Sequence, residues 1–142
     1  MLSTISFFAL AIVGLGAVSF AMDADIIDVP GLGQGPGVIG MATAVAVFAG
    51  VEWAAVRLAR PVYRSVWVTS LMTALAHLLV VAIGALIATG DPVKALAAAG
   101  DLVTGGASLV ILLAAAIAAW GGVALRRTRA QHPTWPWERD DE

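Results

Sequence analysis

A chain of 142 residues that is 60% hydrophobic and 13% charged, with a mean hydropathy of +0.90, carries more apolar surface than a soluble domain of this size can hide. The absence of cysteine excludes disulfides, iron–sulfur centres, thiol catalysis and zinc–thiolate sites. A net charge of −2 conceals an uneven arrangement, which becomes informative once the elements are placed.

Four apolar stretches account for most of the chain, at about 2–22, 37–58, 66–88 and 102–125. Each is roughly 30 Å long as a helix, which matches a bilayer core and permits some tilt. Backbone groups inside a bilayer find no water, so segments of this length are expected to be helices. The expected architecture is an all-α membrane protein, a compact four-helix bundle over 1–125 followed by a tail at 126–142.

The first span, Leu2 to Met22, ends near Ser19-Phe20-Ala21, small residues of the kind a signal-peptide cleavage site uses. No Lys or Arg precedes the apolar run, and it is longer than a usual signal core, so retention is expected. The loop that follows mixes Asp23, Asp25 and Asp28 with alternating glycines, and reads as a flexible, solvated connector. Its aspartates lack the glycine and distal glutamate of an EF-hand, so no calcium site is expected. Gly35-Pro36-Gly37-Val38-Ile39-Gly40 matches the dinucleotide fingerprint in letters only, because no strand precedes it and a membrane span follows.

In the second span, Ala42, Ala46, Gly50 and Ala54 form a small-xxx-small stripe, and Glu52 points nearly opposite to it at 100° per residue. One seam cannot use both. Glu52 is either a proton-exchanging or cation-binding carboxylate, or a partner of Arg57, Arg60 or Arg64 near the span's end. In the third span His77 lies near the midpoint, with Ser70, Thr73 and Gly84 on the same face. A membrane histidine is a candidate proton or ligand handler, and equally a neutral ring hydrogen-bonded within the bundle. Haem is not expected, because the other histidine, His132, falls in the tail.

Between the third and fourth spans, Asp91 and Pro92 resemble an N-cap and first helical position and Gly100 a helix end, so a short interfacial helix is expected over 92–99, with Asp101 capping the fourth span. The fourth span repeats the small-residue pattern at Ala114, Ala118 and Gly122. Its end, from Trp120 to Arg127, echoes Trp53 to Arg60, which a shared anchoring requirement explains without a duplication. The tail, with Trp135-Pro136-Trp137 and an acidic end, is expected to be extended at the interface or in a partner's groove.

Orientation follows from the arginines. Arg57, Arg60 and Arg64 follow the second span and Arg126, Arg127 and Arg129 the fourth, whereas the other connections carry five aspartates against Lys94. The positive-inside rule places both arginine groups, and both termini, in the cytoplasm, with the short helix on the outer face. Trp53, Trp67 and Trp120 sit beside those arginines as interface anchors.

A membrane carboxylate among four short helices resembles the small multidrug-resistance transporters in outline, but that family's glutamate belongs in the first span, uncharged here. In style the chain resembles uncharacterised four-helix membrane proteins of high-GC Gram-positive bacteria, with seven arginines against one lysine, alanine-filled helices and the ending Arg126-Arg127-Thr128-Arg129. That resemblance implies a bacterial plasma membrane and transfers no functional residue. The expectation is a non-enzymatic accessory or structural subunit whose partners are the bilayer and a membrane protein or a second copy, with no cofactor and no nucleic acid. The alternative is a small homo-oligomeric transporter or channel using Glu52 and His77.

Overall fold

The computed structural model describes residues 1–23, 27, 32–57 and 62–130, with side chains to 128. All its regular elements are helices: α1 (Leu2–Met22), α2 (Gly35–Val56), α3 (Arg64–Thr89), α4 (Pro92–Thr104) and α5 (Ala107–Ala130). Of these α1, α2, α3 and α5 are long and apolar enough to cross a membrane. The expectations for the aspartate loop beyond Asp23, for Arg60 and for the tail after Ala130 lie outside the described residues.

The long helices alternate in direction. Gly84 of α3 faces Pro36 at the start of α2, and Gly40 faces His77 and Val81 one step further along. Gly14 of α1 meets Val110 near the start of α5, and Gly122 near its end meets Ser3. α3 packs on α2 and α5, and α5 packs on α1; the α1–α2 contact is the thinnest of the ring. It is made where Phe7 stacks on Phe48, with ring centroids 4.6 Å apart and planes 16° from parallel.

The core is built from small side chains around a few large ones. Phe7, Ala11, Ala44, Phe48, Ile111, Ala115, Ala119 and Val123 are fully enclosed, and Ala114 and Ala118 nearly so. Leu71, Leu75, Leu79 and Ile83 of α3 face outward at helical spacing, as do Ile5, Phe8 and Ile12 of α1. The long helices are therefore apolar on both faces, as lipid-facing helices are and surface helices of soluble proteins are not.

Two boundaries differ from the sequence reading. α4 does not end at Gly100 but continues to Thr104, taking Asp101 into the helix, and α5 begins at Ala107 rather than at 102. The break falls at the paired glycines: the Gly105 N–H donates to the Asp101 carbonyl at 2.7 Å, and Gly106 has φ of +80°, which glycine adopts without a Cβ penalty. Asp101 therefore caps nothing. Asp91 does act as an N-cap, its Oδ1 accepting from Val93 N–H at 2.8 Å ahead of Pro92. α4 turns Ala95, Ala98 and Leu102 to the bundle and leaves Val93, Leu96 and Val103 exposed.

Candidate functional site

α2 has one buried face, at Pro36, Gly40, Ala44, Phe48 and Glu52, spaced four residues apart throughout. The last position is a carboxylic acid. Glu52 is 3% exposed, and neither of its oxygens has a hydrogen-bond partner. Its side chain turns inward between α5 and α1: Oε1 occupies the space where a Cβ on Gly122 would stand, and Ser3 lies beside the same glycine. Only a residue without a side chain leaves room for the carboxyl there.

Of the arginines expected to pair with Glu52, the two that are described, Arg57 and Arg64, make no hydrogen bond to it. Arg57 instead lies over the Trp53 ring, 3.9 Å from its centroid, and Arg127 over the Tyr63 ring at 5.0 Å. Both rings belong to an end of the bundle that also carries Arg64, Trp67, Trp120 and Arg126, all exposed. The anchoring residues thus gather on one end, while Gln34, Gly90 and α4 occupy the other.

Next to Glu52, where the α1–α2 contact is thin, a groove of about 540 Å³ opens at the side of the bundle. Met1, Ile5, Ala49, Gly50, Trp53 and Val56 form most of its lining, and Ser3, Thr4 and Glu52 are its polar members.

His77 belongs to a separate place. It is buried on α3 with Thr69, Ser70 and Thr73. Its ring packs against Gly40, where an added Cβ would stand 3.3 Å from Cδ2 and 3.4 Å from Nε2. Nδ1 has no hydrogen-bond partner. Two neighbouring hydroxyls return to their own helix: Thr73 donates to the Thr69 carbonyl at 2.7 Å and Ser70 to the Trp67 carbonyl at 3.1 Å. Thr69, which the sequence reading did not single out, is fully buried with its own hydroxyl unpartnered. Its signal was its register, one turn before Thr73 and two before His77.

The structure does not bring Glu52 and His77 together. His77 faces Gly40, and Gly40 lies about 18 Å along α2 from Glu52 at the rise of an α-helix. Ala44 and Phe48, both fully enclosed, occupy the interval. The two small-residue runs also part company. Ala114 and Ala118 are buried and Gly122 is half-buried inside the bundle, whereas Ala42, Ala46, Gly50 and Ala54 are all exposed.

The chain belongs to a family of unknown function, DUF6121, whose model matches residues 1–142. No curated protein and no solved structure matches it.

Proposed function

We propose that this member of an uncharacterised family is a multi-pass protein of the bacterial plasma membrane that acts without catalysis, as an accessory or structural subunit of a membrane complex. The observation that carries the reading is the packed interval between Glu52 and His77. A path for ions or protons needs polar groups in sequence across the bilayer, and here Ala44 and Phe48 fill the space between the two ionisable side chains. The hydroxyls of Ser70 and Thr73 are spent on their own helix. The outward row Ala42, Ala46, Gly50 and Ala54 suits the close approach of a neighbouring membrane helix, of a partner or of a second copy.

In this reading the arginine-bearing end is cytoplasmic, with both termini, and α4 lies along the outer interface with Val93, Leu96 and Val103 toward lipid. The second reading, a homo-oligomeric transporter, is favoured by one set of atoms: the Glu52 oxygens, Thr69 Oγ1 and His77 Nδ1 are buried without partners.

Purification in mild detergent at native expression level, with every co-purifying protein counted, separates the two. A membrane protein recovered at fixed ratio supports the subunit reading. Recovery as a homo-oligomer that carries protons or ions across proteoliposomes, with flux abolished by Glu52→Gln and His77→Ala, replaces it with the transporter.

A further inference from the structure

The end of α5 meets the start of α3 where the Arg127 guanidinium lies over the Tyr63 ring, 5.0 Å from its centroid. That contact sets two helix faces side by side. Tyr63 and Trp67 stand one turn apart on α3, and Trp120 and Arg127 two turns apart on α5, so each pair shares a face of its helix. All four side chains are exposed, Trp67 by 63% and Trp120 by 58%. Further from the end the same faces continue into Leu71 of α3 and Leu113 of α5, both exposed. Arg64 opens α3 beside Tyr63, and the first turn of that helix carries no acid.

Among the described residues neither Arg64 nor Arg127 forms an ion pair, and the acid at this end, Glu52, is enclosed against Gly122. The ring beneath Arg127 occupies one face of the guanidinium and leaves its N–H edge free for an oxyanion. At Arg64 a positive charge adds to the positive end of the α3 dipole, so an anion placed there relieves both. We propose that the seam between α3 and α5 at this end binds an anionic phospholipid, its phosphate held by Arg64 and Arg127 and an acyl chain lying along the seam between Trp67 and Trp120. The proposal rests on the membrane placement described above and goes beyond the subunit reading.

Each part of that lipid answers a part of the surface. Guanidinium groups take a phosphate through paired charge-assisted hydrogen bonds, and basic sites between membrane helices near the cytoplasmic face recognise anionic headgroups in this way. A zwitterionic lipid brings the same phosphate with a cation that the two arginines repel. An acidic peptide would satisfy the guanidinium groups and leave the apolar run from Trp67 to Leu71 and from Leu113 to Trp120 uncovered.

The test uses the full chain with Trp53→Phe, Trp135→Phe and Trp137→Phe, so that only Trp67 and Trp120 fluoresce. The protein is placed in phosphatidylcholine nanodiscs holding a small fraction of lipid with brominated acyl chains, either phosphatidylglycerol or phosphatidylcholine, and quenching reports which lipid sits at the seam. Brominated phosphatidylglycerol is expected to bind there about tenfold more tightly than brominated phosphatidylcholine, a preference of about 1.4 kcal/mol. Arg64→Gln with Arg127→Gln should remove most of that preference. Arg57→Gln with Arg126→Gln, which takes away the same charge from the same end, should leave it in place.

A preference that survives Arg64→Gln with Arg127→Gln in folded protein would overturn the proposal. Equal losses from the two pairs of variants would overturn it as well, because the attraction would then belong to the charge of the whole end and not to the seam. If phosphatidylglycerol is preferred only after Glu138, Asp140, Asp141 and Glu142 are changed to their amides, the acidic end of the chain and not a lipid occupies the arginines. Absence of quenching by either brominated lipid would overturn the membrane placement together with the proposal, whereas loss of the preference alone leaves that placement standing.

Discussion

Substituting Gly40 with alanine tests how tightly α2 lies on α3. A Cβ at that position would stand 2.5 Å from Val81 Cγ2 and 3.3 Å from the His77 ring, so either the helices part or the Val81 side chain shifts. Val81 is fully enclosed, which leaves its methyl groups little room to move. Overpacking of this kind costs about 1–3 kcal/mol, and replacing a helical glycine by alanine returns about 1 kcal/mol, so Gly40→Ala should destabilise by about 1 kcal/mol. Val81→Ala alone should cost on the order of 1 kcal/mol, because the transfer term that dominates in water vanishes against lipid and the lost packing remains. In the double variant the new methyl occupies room that Val81 has vacated. The combined cost should therefore fall below the sum of the two by about 1–3 kcal/mol. Reversible unfolding in mixed micelles, followed by far-ultraviolet circular dichroism as sodium dodecyl sulfate is added, gives all the free energies of the cycle. Additivity to within about 0.5 kcal/mol would refute the close approach of α2 to α3 at Gly40.

The same unfolding assay applied to Phe7→Leu, Phe48→Leu and their combination should give a coupling of about 0.5–1.5 kcal/mol, the worth of a stacked pair beyond its area; no coupling would mean that α1 and α2 do not meet there. Asp91→Ala removes the acceptor for Val93 N–H and should cost about 1 kcal/mol locally, seen as faster hydrogen exchange over the first turn of α4 with α3 unchanged. Single cysteines at Gln34 and Thr128 of this cysteine-free chain lie at opposite ends of the bundle and should react with impermeant reagents from opposite sides of the membrane. Labelling of both from the outside would reject the proposed orientation.

The long apolar runs were legible because their signal is length and hydropathy, which neighbouring helices do not alter: α1 spans the residues expected of it, and α2 and α3 begin a turn or less from the sequence estimate. The junction of α4 and α5 was not. Gly100 and the pair Gly105-Gly106 are both plausible helix ends by composition, and α4 passes through the first because Leu102 is needed against Val81 and Ala107 in the core. Tertiary contact decided between two local signals of similar strength. The gathering of Trp53, Arg57, Tyr63 and Arg127 at one end followed from span parity, whereas the stacking of each arginine on its aromatic ring required the structure.

The division of α2 shows most clearly what a sequence can and cannot say about the site. Helical periodicity alone requires that Glu52 and the row Ala42, Ala46, Gly50 and Ala54 point in different directions, and it leaves open which of the two faces the bundle. Small residues are the expected choice for the inside, since they permit close packing without burying charge. The chain does the reverse: the row is exposed and Glu52 is enclosed. What allows this is a residue on another helix, since Gly122 of α5 leaves the space the carboxyl fills, and a methyl group there would collide with it. Gly122 belongs to a small-residue run that reads from sequence as helix packing, yet its partner is an acid rather than a facing backbone. Gly122→Ala should therefore act through Glu52, driving the carboxyl out of its recess toward the groove. Its destabilisation should be relieved mainly by Glu52→Ala, and less by Ser3→Gly, since the Ser3 Cβ would stand 3.3 Å from the added methyl.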